Sequence, residues 1–172
     1  SDGSVGSWTT TTGMPDIIEN HAMSVWNGKL YISGGWKDTP KNTVWCVPIN
    51  ADGTVGSWVA TTLLSAARYG HSMVAWNGRL YIVAGSVNTG DETNTVWYAP
   101  INADGTVGAS WITEANSLPA ARSGHGQAVW NGRLYITGGY DTAARDTVWY
   151  APINADGTVG SWTATTVMPA TR

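Results

Sequence analysis

The feature that most limits what this chain can fold into is a unit of about 50 residues that recurs along it. Trp-Asn-Gly-(Lys/Arg)-Leu-Tyr-Ile stands at 26–32, 76–82 and 130–136. Ile-Asn-Ala-Asp-Gly-Thr-Val-Gly stands at 49–56, 101–108 and 153–160, with a Ser-Trp pair after each copy. A truncated copy, Asp2-Gly3-Ser4-Val5-Gly6-Ser7-Trp8, opens the sequence. The stretch Trp97–Gly108 is identical to Trp149–Gly160, which marks a recent or engineered duplication. A unit this short cannot bury a core alone, so neighbouring units must stack.

Each unit reads as four strands. Strand a runs from a His to a Trp, as in His71 to Trp76, and strand b is Arg-Leu-Tyr-Ile, as in 79–82. Asn-Gly between them is the strongest short signal for a two-residue hairpin, because both central residues need φ > 0. Strand c is Thr-Val-Trp-Tyr-Ala-Pro-Ile, and strand d is Thr-Val-Gly-Ser-Trp-x-x-Thr-Thr, joined to c by an Asp-Gly turn. The Pro late in strand c suits an outer position, since it has no N–H for a ladder. No segment sustains a 3.6-residue period. The expectation is an all-β protein with units at 13–62, 63–115 and 116–168, an extra d strand over 1–12, and the start of a further unit at 169–172.

Antiparallel four-stranded units with a Gly-rich b–c connection describe the blades of a β-propeller. Arg68-x-x-His71 and Arg122-x-x-His125, the Leu-Tyr-Ile strand, the pairs Gly34-Gly35 and Gly138-Gly139 and the late Trp resemble the kelch repeat. The resemblance covers essentially the whole chain and implies three complete kelch-type blades. Two departures stand out: Ile18 replaces the Arg in blade 1, and Ala84-Gly85 replaces the glycine pair in blade 2.

The repeat accounts for most residues that look chemical. Ten of the 11 tryptophans fall in columns: 8, 58, 111 and 162 on strand d; 26, 76 and 130 ending strand a; 45, 97 and 149 on strand c. One Trp per blade at each level reads as packing between blades. His21, His71 and His125 share a column, so blade symmetry spreads them apart and no metal or cofactor set is read. Cys46, the only cysteine, aligns with Tyr98 and Tyr150, is a substituted repeat position and can form no intrachain disulfide. Asn50, Asp52 and Gly53 begin like a calcium loop, but no closing Glu follows, so the segment reads as the c–d turn.

Function is expected where the copies diverge. The b–c loops, 36–43, 86–95 and 140–146, and the d–a loops, 13–20, 63–70 and 115–124, share one face, while the uniform Asn-Gly and Asp-Gly turns share the other. The diversified face offers Trp36, Asp38 and Lys41 from blade 1. Blade 2 adds Asn88, Asp91 and Glu92, and blade 3 adds Tyr140, Asp141 and Arg145. Trp36 is the one tryptophan outside the columns, and an aromatic ring beside amides and acids suits a glycan, with a protein ligand as the alternative. The sequence reads as a non-enzymatic binding or scaffold module. The kelch resemblance also admits a sugar-processing enzyme: a mutarotase type, for which Arg68, Arg122 and Glu19 are the candidates, or a copper oxidase type, which would need Tyr, His and a Cys-linked Tyr gathered at the axis, whereas Cys46 replaces a Tyr on an outer strand. A third reading is an engineered or excised propeller piece.

Net charge of −3 and 12% charged residues give no basic face for nucleic acid or an anionic membrane. No apolar run approaches the ~20 residues of a transmembrane helix. Ser1-Asp2-Gly3-Ser4 lacks a signal pattern, which reads as a mature, trimmed or recombinant chain. Thr, Ser, Gly and Asn in place of Lys resemble a secreted or cell-surface bacterial protein. Propellers close with about four to eight blades, and three leave two apolar faces open. The expectation is either a piece of a longer propeller or a homo-oligomer assembled head to tail, with a six-bladed dimer as the first choice.

Overall fold

The computed structural model describes residues 6–171. Blade 1 holds β1 (Ala22–Trp26), β2 (Lys29–Ser33), a small hairpin of β3 (Trp36–Lys37) and β4 (Thr39–Pro40), then β5 (Val44–Pro48) and β6 (Val59–Ala60). Blade 2 is β7 (Ser72–Trp76), β8 (Arg79–Val83), β9 (Val96–Pro100) and β10 (Ile112–Thr113). Blade 3 is β11 (Gly126–Trp130), β12 (Arg133–Thr137), β13 (Val148–Pro152) and β14 (Thr163–Thr165). Each blade is one four-stranded antiparallel sheet in a-b-c-d order, as the sequence leads one to expect. Strands a of successive blades lie side by side (β1 by β7, β7 by β11), so they line the inner edge.

The turns form for local reasons. Asn27, Asn77 and Asn131 have φ of 45°, 46° and 47°, and the following glycines stay positive, the geometry of a tight a–b hairpin. In the c–d turn Asp52 accepts the Thr54 N–H (2.9 Å) and hydroxyl (2.7 Å), and Asp104 and Asp156 repeat this. The carboxylate thereby closes its own turn.

Strand d is shorter than the sequence suggests. Val55, Val107 and Val159 each make a single bridge to strand c. The chain then bends so that Gly56, Gly108 and Gly160 donate to the Pro carbonyls of strand c. The ladder resumes for only two or three residues beyond the Trp. The prolines end strand c, which is third of four in the sheet; it is not the outermost strand.

The core lies between blades rather than within them. One cluster joins Tyr31, Val44 and Cys46 of blade 1 to Leu64, Leu80, Ile82, Trp97 and Trp111 of blade 2. A second joins Tyr81, Val83 and Val96 of blade 2 to Leu118, Leu134, Ile136 and Ala151 of blade 3. Each fully buried aliphatic side chain contributes about 1.5–3 kcal/mol. Polar pins repeat at the same level. Tyr31 Oη donates to Gly105 O (2.8 Å) and Tyr81 Oη to Gly157 O (2.9 Å), and burial pushes both phenols up to about 12, so they remain donors. Gly35 N donates to Arg68 O and Gly85 N to Arg122 O, both at 2.8 Å. In blade 1 Gly34 permits that approach, because a Cβ there would sit 2.4 Å from Arg68 O, while in blade 2 Ala84 takes the same left-handed conformation (φ 55°) with its Cβ in place.

The extra strand expected over 1–12 differs from expectation. Residues 1–5 lie outside the described part, and 6–12 form no strand. The segment is docked nonetheless. Val55 N donates to Thr11 Oγ1 (2.9 Å) and Thr12 Oγ1 donates to Val55 O (2.9 Å). Thr61 and Thr62 make the same pair of bonds to Val107, at 2.7 and 3.0 Å. Residues 6–12 therefore occupy the strand d place of a blade preceding blade 1, with no strand c beside them among the described residues. Trp8 is left 93% exposed, whereas Trp111 in the same column is 7% exposed.

Candidate functional site

The d–a and b–c loops meet on one face, as the antiparallel order requires. In every blade the residue two before the column His pairs with the residue after the glycine position. Glu19 pairs with Trp36, Tyr69 with Ser86, and Ser123 with Tyr140. Asn20, Gly70 and Gly124 then bend the chain at φ of 52°, 60° and 62° and link blade to blade, Gly70 N to Asn20 O and Gly124 N to Gly70 O.

This frame brings Trp36 of blade 1 against Tyr69 of blade 2, with ring centroids 5.0 Å apart and planes at 72°. An edge-to-face pair of this kind holds both rings in fixed orientation. Trp36 walls two shallow depressions. One, of about 170 Å³, is lined by Glu19, Asn20, Trp36, Tyr69 and Thr89. The other, of about 290 Å³, lies among Ile17, Ile18, Glu19, Trp36, Lys37 and Asp38. Lys37 Nζ meets Asp16 Oδ1 at 2.5 Å along its rim, and that hydrogen bond holds the Asp16 carboxyl below its ordinary range.

The nine residues singled out from sequence do not form one group. Trp36 walls both depressions, with Asp38 at the tip of the β3–β4 hairpin in a left-handed conformation (φ 59°). Lys41 serves through its backbone, donating to Gly35 O and accepting from Arg68 N. Asn88 is tied to the site, since its carbonyl accepts from Tyr69 Oη at 3.4 Å and its amide donates to Asp91 at 3.2 Å. Glu92 lies at the next blade junction, accepting from Ser86 (3.3 Å) and Ser123 (3.5 Å). Tyr140 is exposed on blade 3. Asp141 and Arg145 are spent on each other: Arg145 Nε is 3.0 Å from both carboxylate oxygens, which with the Thr142 N–H holds that carboxyl far below its usual range.

Sequence reasoning missed Tyr69, Asn20 and Thr89 as parts of the site. The available signal was that Tyr69 replaces Glu19 and Ser123 in a divergent column of a d–a loop. Its meeting with Trp36 depends on the blade-to-blade offset, which sequence does not display.

The residues considered for chemistry elsewhere are structural. Arg68 and Arg122 are each 1% exposed. Arg68 donates to Ala84 O (2.8 Å) with its guanidinium 3.4 Å from the Trp97 ring centroid; Arg122 donates to Gly138 O and lies 3.9 Å from that of Trp149. His71 Nε2 bonds Ser33 Oγ at 2.9 Å and His125 Nε2 bonds Ser72 Oγ at 2.6 Å, each reaching back to the preceding blade. No group of three or more metal-ligating side chains occurs among the described residues. Cys46 is buried, and burial pushes its thiol up.

The family model described as the KLHDC2/KLHL20/DRC7 Kelch-repeats domain matches residues 20–168. Among solved structures the chain is similar to one titled "Structure of YjhT", with a TM-score of 0.72 and 15% identity. The likeness covers 92% of this chain and 54% of that one, so the chain spans about half the length of the structure it matches. At that identity the likeness shows the fold. No curated protein matches.

Proposed function

Since the chain belongs to the kelch-repeat family, we propose that it is a non-enzymatic binding module that holds a carbohydrate at the blade 1–blade 2 junction of its loop face. The observation that carries this is the Trp36–Tyr69 pair, built from a b–c loop and a d–a loop of different blades. The column tryptophans between blades, such as Trp76, Trp97 and Trp111, already pack in the core clusters, and Trp36 is the tryptophan that belongs to no column. Its ring offers an apolar face, while Glu19, Asn20 and Thr89 beside it offer acceptors and donors. A pyranose has the matching character, with an apolar C–H face and a rim of hydroxyls. A depression of about 170 Å³ suits a terminal or single sugar rather than a long chain.

A glycan-array screen tests the reading. The wild-type chain is expected to bind a defined set of glycans. Trp36→Ala should lose about ten-fold or more in affinity, equivalent to roughly 1.4 kcal/mol, with an unchanged melting temperature. Binding to no sugar, or binding indifferent to Trp36→Ala, would overturn it.

A further inference from the structure

We infer that the face of the uniform turns carries a second binding site, between blades 1 and 2, for a small aryl carboxylate. Lys29 supplies its cation, and the Trp26 and Trp76 indoles supply its apolar wall. Two cavities at this junction share Trp26. One, of about 230 Å³, lies between Trp26, Asn27, Lys29 and Tyr31 of blade 1 and the c–d turn of blade 2 at Asn102 and Gly105. The other, of about 240 Å³, is lined by Trp26, Trp76 and Asn77. Both indoles are held from behind, Trp26 by the first core cluster and Trp76 by the second.

The uncommitted cation is particular to this junction. The half-buried Lys29 stem lies across Gly105, where a Cβ would sit 2.3 Å from Lys29 Cε and 3.1 Å from its Nζ. Among the described residues the lysine ammoniums that make hydrogen bonds are those of Lys37 and Lys41, and neither ion pair includes Lys29. Asp104, next to Gly105, is spent on the N–H and hydroxyl of Thr106, at 2.9 and 2.7 Å. The following junction is arranged differently. There Arg79 stands in the Lys29 position, donates to Asp156 O at 3.0 Å and has its guanidinium 5.9 Å from the Tyr98 ring centroid. Tyr98 stacks in turn on Tyr81, with centroids 6.0 Å apart. In blade 1 Cys46 holds the Tyr98 position, opposite Tyr31 in the ladder, so the ring beside Arg79 has no counterpart. Lys for Arg and Cys for Tyr together leave one ammonium without an anion beside a walled cavity.

That chemistry selects the ligand. Hydrogen bonds from an ammonium to an ionised acceptor are the strong ones, and the Asn27 amide lines the same cavity as a second donor. One ammonium balances one negative charge, whereas a phosphate dianion would also meet the Asp104 carboxylate. Two indole faces suit a planar ring. An uncharged sugar leaves the ammonium unanswered, which separates this site in chemistry from the Trp36–Tyr69 depression.

Titrating the ¹⁵N-labelled chain with phenylacetate, and in parallel with phenylacetamide and acetate, tests this. Phenylacetate is expected to shift the Trp26 and Trp76 indole resonances and saturate. Phenylacetamide, which lacks the charge, and acetate, which lacks the ring, should each bind about ten-fold or more weakly. Lys29→Gln should cost a similar factor for phenylacetate and nothing for phenylacetamide, with the melting temperature unchanged because the ammonium bonds no protein group. The absence of a saturable shift with phenylacetate would overturn the proposal. So would equal binding of phenylacetamide, affinity indifferent to Lys29→Gln, or shifts at Trp36 in place of Trp26 and Trp76.

Discussion

Between pH 6.5 and pH 4 the protein is expected to lose about 3 kcal/mol of folding stability for each of two buried histidines. Burial is the main cause of the shift at both: it lowers His71 to about 3 and His125 to about 4, from an ordinary value near 6.5. The nearby guanidiniums of Arg68 and Arg122 lower them further. Both imidazoles are therefore neutral in the folded protein, each Nε2 bonded to a serine of the preceding blade. In the unfolded chain they protonate near 6.5, so below that pH the unfolded state binds more protons. Stability from this source is complete above pH 6.5, falls as the pH drops, and stops falling once the folded values are reached. The slope is about 1.4 kcal/mol per pH unit per histidine. A domain whose total stability is about 5–15 kcal/mol cannot absorb such a loss unnoticed. Urea titrations at pH 7, 5.5 and 4 give the curve directly. His71→Gln should remove about half of its slope, and a flat profile over this window would show that the imidazoles are not held neutral.

Arg68→Ala should destabilise the fold by about 3 kcal/mol, the largest effect expected from a single site away from the aliphatic core. Arg68 is a full-length cation with no carboxylate partner among the described residues, and burial pushes its guanidinium down to about 9. Its burial is offset by the Ala84 carbonyl, the Thr95 hydroxyl at 3.1 Å and the face of Trp97. A hydrogen bond from a charged donor is worth about 1.5–3 kcal/mol, and the cation–π contact about 1–2 kcal/mol when desolvated. Truncation also opens a cavity beneath Trp97. Blade 1 provides the internal comparison. Ile18 fills the same column and is buried, so an apolar side chain can occupy the site where the carbonyl bond is forgone. Arg68→Ile should therefore cost less than Arg68→Ala. Urea midpoints separate the two variants, and equal losses would mean that the cation itself, rather than the filled volume, matters at this position.

The fold was legible because its determinants are local and repeated. Asn-Gly and Asp-Gly fix two turns per blade through φ alone, and Leu-Tyr-Ile marks the second strand as a short apolar run, buried on both faces in blade 2. Strand d was overread because Val55, Gly56 and Trp58 form a continuous β-like string, while the bend at Gly56 toward the Pro48 carbonyl depends on the neighbouring strand. Trp36 was legible as the tryptophan outside every column, whereas the Asp141–Arg145 pair was not, because their meeting depends on the bend of the b–c loop. Tyr69 was not, because what makes it part of the site is the offset between two blades. The arginines looked chemical from sequence for a similar reason: nothing local says that a guanidinium will be covered by the strand c tryptophan of its own blade.

Ten of the eleven tryptophans stand in repeat columns, and one ring, Trp36, is proposed to face a ligand. Indole N–H resonances of the ¹⁵N-labelled chain report on each tryptophan separately, so a titration with simple pyranosides tests that division directly. The Trp36 indole and the amides of Glu19, Asn20 and Tyr69 are expected to shift together and saturate, while the column indoles stay in place. Shifts confined to Trp26 and Trp76 on the opposite face, or no shift with any pyranoside, would contradict it.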